Sequence, residues 1–556
     1  MTQSSSRLFS ASRLAACVRA HWGLWLALSL GLGLKAALLA THSVTFNGDE
    51  AVLALMARHI ILQGERPIFF YGQSYMGALD AYLIALSFLI WGQSVLAVRL
   101  VQVALYSGVL VTTYVLAYRL SKDRFAATAA ALLIAVPTVL FSTYTTATLG
   151  DYVETLLLDN LILLVVWGIL SGERGTGGWW LSAGLLAGLG WWGMSLIVTV
   201  VAPLALLGIW HFRRKMPWGR VALLVLGFVM GALPWLIAVL SDPTAILTEV
   251  SGLRLSATLS EGASAGLPIR VLSLAAFNIP SLFGLRPPWS LEWIALPVGA
   301  PVAVFYLFIL WRAVRRGLSG AQADTPPLPL ASLLGGFGVL CGLMLVTPFG
   351  SDPTGRYLLP LYPLLAILVG DWLGRARRGL EIGQERWVQG GAVALLIICL
   401  SYNLWGNIRS MLRNPPGLTT QFNLITHIPH DYDDDLIAFL DSIGADRGYS
   451  NYWVTYRFAF LTQERIIFSP RLPYKDDLSY TSRDDRYPLY TRMVEASEQV
   501  VYVTSNLPAL DAELRDRFGR AGVAFHEQRI GPYTVFYDLS RPVTPEELGL
   551  SGEVTD

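Results

Sequence analysis

Stretches of about twenty apolar residues recur along the first 404 positions of this chain, and no other feature narrows its possible folds as far. A hydrocarbon core about 30 Å thick needs roughly 20 apolar residues per crossing helix. Spans are expected near 22–41, 96–118, 124–142, 155–171, 179–193, 195–211, 219–240, 292–311, 329–347, 358–373 and 386–404, about eleven in all. Composition agrees, since 54% of the 556 residues are hydrophobic and 15% charged, against roughly 45–50% and 25% in an ordinary soluble domain. The expected fold class is an all-α polytopic membrane protein.

Charge divides the chain. About 37 of the 81 charged residues (41 basic and 40 acidic) fall after residue 404, which separates a lipid-embedded body, 1–404, from a water-soluble tail, 405–556. The formal net charge of +1 conceals about +8 in the body and about −7 in the tail. Neither part has the basic, aromatic-studded face that nucleic acid requires, so that partner class is excluded. Cys17, Cys341 and Cys399 lie in or beside apolar runs without a CxxC or histidine-spaced partner, against a disulfide framework or zinc site. Within the tail, Asp434 to Gly444 reads as a short amphipathic helix. Arg465–Ser469, Gln499–Thr504 and Tyr533–Asp538 have the β-branched and aromatic content of strands, so a small α/β domain is expected.

Orientation follows from the rule that short cytoplasmic loops hold Lys and Arg. The first span is too long to be a cleaved signal and lacks a small-residue cleavage site before Thr41-His42. Arg7, Arg13 and Arg19 place the N-terminus in the cytoplasm, and the later clusters at Arg119–Arg124, Arg174, Arg213–Lys215, Arg312–Arg316 and Arg375–Arg378 then share its side. This holds if the short apolar segment Met76–Trp91, which carries Asp80, lies on the outer surface. The expected outer loops are 42–95, 143–154, 241–291 and 348–357, and the tail is expected to be extracytoplasmic.

The candidate chemistry collects on that outer face. Asp49 and Glu50 follow the first span in Phe46-Asn-Gly-Asp-Glu50, either as a general base toward a hydroxyl or as a helix cap. Asp151 and Glu154 form a second acidic pair, with Asp159 deeper in the fourth span. They read as oxygen ligands for a metal or groups orienting an acceptor, or as a cap and buried hydrogen bonds. No spacing demands a cofactor, and metal dependence stays open. Arg356 and Tyr357, in Ser351-Asp-Pro-Thr-Gly-Arg-Tyr357, enter a span where the guanidinium suits a phosphate or simply snorkels. Arg99 carries the same two readings, while Lys35 within the first span is expected to snorkel or meet an anionic headgroup. Cations and carboxylates together at a lipid boundary suit a substrate with an anionic linker in the headgroup layer and a hydroxyl-rich end above it, such as a lipid-phosphate-linked sugar.

The order of these pieces resembles glycosyltransferase family 39, the GT-C enzymes that include protein O-mannosyltransferases and aminoarabinose transferases. The resemblance rests on Gly48-Asp49-Glu50, on Gly72-Gln-Ser-Tyr-Met-Gly77 through Trp91-Gly92 to Ala97-Val-Arg99, on the acidic loop at Asp151, and on Arg356-Tyr-Leu-Leu-Pro-Leu-Tyr-Pro363. It implies a bacterial cytoplasmic-membrane enzyme of the cell envelope that moves a sugar from a polyprenyl-phosphate donor to an acceptor hydroxyl with inversion. Asp49 would be the base with Glu50 beside it, and Asp151 the second-loop acid. Arg99 and Arg356 would serve the lipid phosphate or the loop structure. The family's His-Pro-Pro-type segment appears here as Tyr71-Gly-Gln73-Ser-Tyr-Met-Gly77 without proline, so Tyr71 and Gln73 shape the acceptor side differently, and the acceptor, whether protein, lipid or glycan, is left open. The competing class is a transporter or flippase of lipid-linked saccharides, which should instead show midplane charges and inverted repeats.

Overall fold

The computed structural model describes residues 21–244, 266–322, 328–379 and 386–550. Arg7, Arg13, Arg19, Cys17 and positions 245–265 of the second long loop lie outside the described residues. The body runs through α1 (Trp22–Ala40), α2 (Gly48–Leu62), α3 (Leu79–Trp91), α4 (Val95–Ser121), α5 (Arg124–Ala135), α6 (Val139–Tyr144), α7 (Tyr152–Leu170), α8 (Gly177–Gly193), α9 (Val198–Phe212), α10 (Trp218–Gly231), α11 (Leu233–Ser241), α12 (Leu267–Ser273), α13 (Ile279–Leu282), α14 (Leu296–Gln322), α15 (Leu328–Val346), α16 (Leu361–Arg377) and α17 (Arg386–Leu412).

Among the described residues, seven helices are long and apolar enough to cross a bilayer alone, and α10 with α11, bent by 68°, makes an eighth if the pair is one span. The bend falls where Pro234 follows Leu233 and withdraws a backbone N–H from the ladder. About eleven spans are expected from the sequence, and seven or eight of the described helices reach that length and apolarity. The segment 124–142 breaks at Val136-Pro137 and restarts as α6, with the Thr138 hydroxyl capping Phe141 N. Helices α8 and α16 are only 17 residues each. Short α8 packs on α10 through glycines: a Cβ at Gly184 would lie 1.9 Å from the Leu224 carbonyl, and one at Gly227 2.1 Å from that of Leu181. Such small-residue faces let backbones touch where lipid supplies no hydrophobic drive for association.

The tail contains α18 (Asp433–Ser442), β1 (Arg447–Tyr449), α19 (Tyr452–Leu461), β2 (Ile467–Ser469), α20 (Pro488–Glu495), β3 (Val501–Ser505), α21 (Pro508–Arg520), β4 (His526–Ile530) and β5 (Tyr533–Tyr537). Its sheet has the order β2-β1-β3-β5-β4, with β1 parallel to β2 and β3 and the β3-β5-β4 ribbon antiparallel. The α/β reading therefore holds. Helix α17 continues past the expected boundary at 404 to Leu412 before the chain enters this domain.

Body and tail are not independent. One hydrophobic core joins Phe46, Val52 and Met56 around α2, and Ile84 and Phe88 of α3, to Tyr452, Tyr456 and Phe460 of α19. The first long loop, between α1 and α4, is thus built into the α/β domain, and the surface between them is where the candidate site forms.

Candidate active site

Helix α2 starts as its sequence dictates. The Asn47 side chain accepts from Glu50 N at 3.1 Å, and Asp49 and Glu50 occupy the first turn, where the helix dipole favours negative charge. The two neighbours then diverge. Glu50 turns inward and is fully buried, with Oε2 2.7 Å from Arg99 Nη2 and Oε1 accepting from Thr148 N at 2.8 Å. Burial pushes its carboxyl up to about 7 against the opposing pull of Arg99 and the Thr148 and Asn47 contacts. Arg99, also buried, donates further toward the Thr146, Val44 and Thr45 carbonyls. The pair is a clasp joining α2, α4 and the loop before α7.

Asp49 instead stays half-exposed, on the side facing the tail. The Tyr452 hydroxyl, at the start of α19, donates to Asp49 Oδ1 at 2.5 Å. Arg486 sits over the Tyr452 ring at 5.7 Å and the Phe70 ring at 5.8 Å, and donates to the Gly72 carbonyl at 3.2 Å. With its amide oriented to suit that partner, the Gln73 oxygen accepts from both terminal nitrogens of Arg486 at 3.1 and 3.2 Å. Gly72 takes φ +67, and a Cβ there would lie 3.0 Å from the Arg486 side chain, so the first-loop turn closes on this arginine. Buried Asp484 completes the wall, its carboxyl pushed up to about 7 by burial despite the nearby Arg486. Tyr71 lies to one side, its hydroxyl bonded to Glu65 and 2.9 Å from His59 Nδ1, with its ring stacked 5.0 Å from Tyr487.

A second feature is sealed. Asp80, Asp151 and Glu154 each present a carboxylate oxygen within 4.8 Å of the others, all buried. Asp80 N donates to Asp151 Oδ1 at 2.9 Å and Asp151 N to Asp80 Oδ2 at 2.8 Å, so the starts of α3 and α7 cap each other. Gln102 adds a bond to Asp80 Oδ1 at 3.1 Å. Asp151 adopts a left-handed φ of +43, and Gly77 fits beside it because a Cβ would stand 2.5 Å from the Trp192 carbonyl and 2.9 Å from Asp151 Oδ2. Burial, then Asp80, holds the Asp151 carboxyl well above its usual range. Asp151 Oδ2 and both Glu154 oxygens have no hydrogen-bond partner among the described residues. Three buried carboxylates cannot all carry bare charge, so protons or a cation must neutralise them. Asp159, deeper in α7, is buried with both oxygens likewise unpartnered among the described residues.

The third feature is cationic. Arg356 pairs with Asp352 at 2.9 Å and donates to the Tyr357 hydroxyl at 3.1 Å, with part of its side chain exposed. Electrostatically it also faces Tyr144 and Tyr152, whose rings are 5.2 Å apart, and Tyr152 directly follows Asp151. Lys35 differs from the snorkelling expected of it, being buried. Its ammonium points inward to Thr145 Oγ1 at 2.6 Å, Thr146 Oγ1 at 2.7 Å and the Ser142 carbonyl at 3.2 Å, over the Tyr106 ring. Four residues that shape these features, Arg286, Tyr452, Asp484 and Arg486, stand in no motif that could have singled them out in the sequence. Arg286 is buried and donates to the Ser290, Phe277 and Pro353 carbonyls, tying the loop that carries Arg356. Burial lowers it to about 10.

Residues 77–235 match the family model described as dolichyl-phosphate-mannose-protein mannosyltransferase. No curated protein sequence matches the chain. Among solved structures, ArnT from Cupriavidus metallidurans bound to undecaprenyl phosphate aligns with a TM-score of 0.55 at 12% identity, covering 95% of this chain and 98% of that one. Its apo state aligns with a TM-score of 0.55 at 11% identity, covering 94% and 98%. The oligosaccharyltransferase AglB from Archaeoglobus fulgidus, solved with an inhibitory peptide and a dolichol-phosphate, gives 0.49 at 12% identity over 87% of this chain and 70% of that one. The near-complete mutual coverage with ArnT establishes that body and tail together have the GT-C fold.

Proposed function

We propose that this multi-pass membrane protein is a glycosyltransferase that moves a sugar from a polyprenyl-phosphate donor to an acceptor hydroxyl on the extracytoplasmic face of a bacterial cytoplasmic membrane, with inversion. The observation that carries the reading is Asp49, a half-exposed carboxylate walled by the first loop and the α/β domain of a GT-C fold. Support also comes from the whole-chain likeness to ArnT, solved with undecaprenyl phosphate, and from the family match over 77–235.

In this reading Asp49 accepts the proton of the acceptor hydroxyl as its oxygen attacks the anomeric carbon, and the bond from that carbon to the phosphate oxygen breaks with its electron pair going to phosphate. General-base assistance of this kind is worth roughly 10²–10⁴ in rate. Arg356, its fork backed by Tyr357, offsets charge on the departing lipid phosphate. The leaving phosphate needs no general acid. Glu50 and Arg99 act by fixing the turn that presents Asp49. Asp80, Asp151 and Glu154 have the oxygen donors and the unmatched charge that fit a hard divalent cation, which would supply fixed positive charge there when bound.

The test is release of polyprenyl phosphate by purified protein from a panel of polyprenyl-phosphate sugars, with a membrane extract as acceptor source, beside a vesicle assay for movement of the intact lipid-linked sugar. Acceptor-dependent release with no movement is expected. Movement of intact donor without release would replace the transferase by the transporter.

A further inference from the structure

We infer that Tyr452, contributed by the α/β domain, is the positioning residue for the Asp49 carboxylate, so that the base is complete only when the tail is docked on the first loop. The inference rests on the transferase reading above and adds to it a working part from outside the membrane body.

The geometry is specific. A Cβ at Gly48 would meet the Tyr452 ring at 3.1 Å and the Tyr452 carbonyl at 3.2 Å, so α2 and α19 approach closely where Asp49 emerges. The Tyr452 hydroxyl donates to Oδ1 at 2.5 Å. With Oδ1 held, rotation about the Cβ–Cγ bond is restricted and Oδ2 is the oxygen left to take a proton. Tyr452 is itself fixed. It is buried, and just before it the Asn451 side chain caps α19 by accepting from Trp453 N and Val454 N at 3.0 and 3.2 Å. On its other side the Arg486 guanidinium covers the Tyr452 ring and reaches the first-loop turn at Gly72 and Gln73. The ionisable groups that face this pair are Glu50 on α2, and Tyr456, Tyr474, Asp484 and Arg486 from the tail.

A phenol that donates to a carboxylate stabilises its charged form. Removing the donor should therefore act on proton transfer and leave donor-lipid binding alone. The experiment is kcat/KM against pH for the full-length protein, using the polyprenyl-phosphate sugar that wild type turns over, for wild type, Tyr452→Phe and Tyr456→Phe. Tyr456→Phe removes a hydroxyl from the same helix that bonds Arg486 N and Tyr487 N and makes no bond to Asp49.

Tyr452→Phe should lower kcat about tenfold, leave the donor KM within about twofold and move the acid limb about one pH unit higher. Tyr456→Phe should lower the melting temperature with the limb in place. Replacing the Tyr452 side chain by 4-aminophenylalanine keeps a donor at similar reach and should restore the wild-type limb, which also covers the case in which Tyr452→Phe does not accumulate. An unmoved limb in folded Tyr452→Phe, or a shifted one in the 4-aminophenylalanine protein, overturns the inference. Full activity in Asp49→Asn would instead remove the base beneath it, and absence of release by wild type would remove the transferase reading itself.

Discussion

Two acidic regions draw on the segment between α1 and α4, the second of them together with the start of α7, and they are built oppositely. The cluster of Asp80, Asp151 and Glu154 is sealed, with reciprocal backbone bonds between α3 and α7 and oxygens that meet no donor among the described residues. The region at Asp49 is half-open, faced by phenols and an arginine from a separate domain. Sealing suits a group that holds shape or a cation, while partial exposure at a domain boundary suits a group that must meet an acceptor and exchange a proton. The adjacent pair Asp49 and Glu50 repeats the contrast within one turn of helix.

The largest effect should come from the clasp. Arg99→Met leaves Glu50 buried without its partner, and breaking such a pair costs about 3–5 kcal/mol. A strong fall in melting temperature is expected, and an unchanged melt would show that the clasp contributes nothing. Next is the sealed cluster. At about 100 times its dissociation constant, Mn²⁺ or Mg²⁺ should stabilise the protein by about 2.7 kcal/mol, and Glu154→Gln should remove the response. No response in wild type would mean that protons neutralise the cluster.

Arg356→Gln should weaken binding of polyprenyl phosphate about tenfold, as expected for a charge-assisted contact, while the melt changes little. Unchanged binding would take Arg356 out of the donor site. The smallest effect concerns docking of the tail. Burial pushes Glu464 upward, but bonds from His59, Arg58 and Tyr490 bring it down to about 2 from an ordinary 4.5. A carboxyl depressed on folding contributes fully above its unfolded value, here about 4.5, and its contribution is lost as pH falls from there through about 2. Relative to its intrinsic rate, hydrogen exchange in α2 and α19 should therefore quicken between about pH 4.5 and 2, and less so in Glu464→Gln. Equal acceleration in both would place the acid sensitivity elsewhere.

The body is legible in the sequence because membrane helices announce themselves by apolar length, as in α1, α4, α7 and α15. What composition does not show is where such a run breaks: α5 stops before Pro137 and α10 turns at Leu233-Pro234. In the tail, β5 reads from its Tyr-Thr-Val-Phe-Tyr sequence, whereas exposed edge strand β4, His-Glu-Gln-Arg-Ile, lacks the alternating apolar residues that mark a strand. Asp49 and Asp151 stand out as acids beside apolar spans. Their partners do not: Tyr452 lies 403 positions from Asp49 and reaches it only through the shared core of α2, α3 and α19, with Arg486 following from the same domain. Asp80 reads as an acid in an interfacial helix, and its pairing with Asp151 across 71 positions has no local signal.

The most direct test of the account is single-turnover release of polyprenyl phosphate from donor-loaded protein, comparing Asp49→Asn with Glu50→Gln at matched folded concentration. Asp49→Asn should retain the donor and the wild-type melt but lose release by roughly 10²–10⁴-fold, whereas Glu50→Gln should melt earlier and, where folded, still release. Release at the wild-type rate by Asp49→Asn would contradict it.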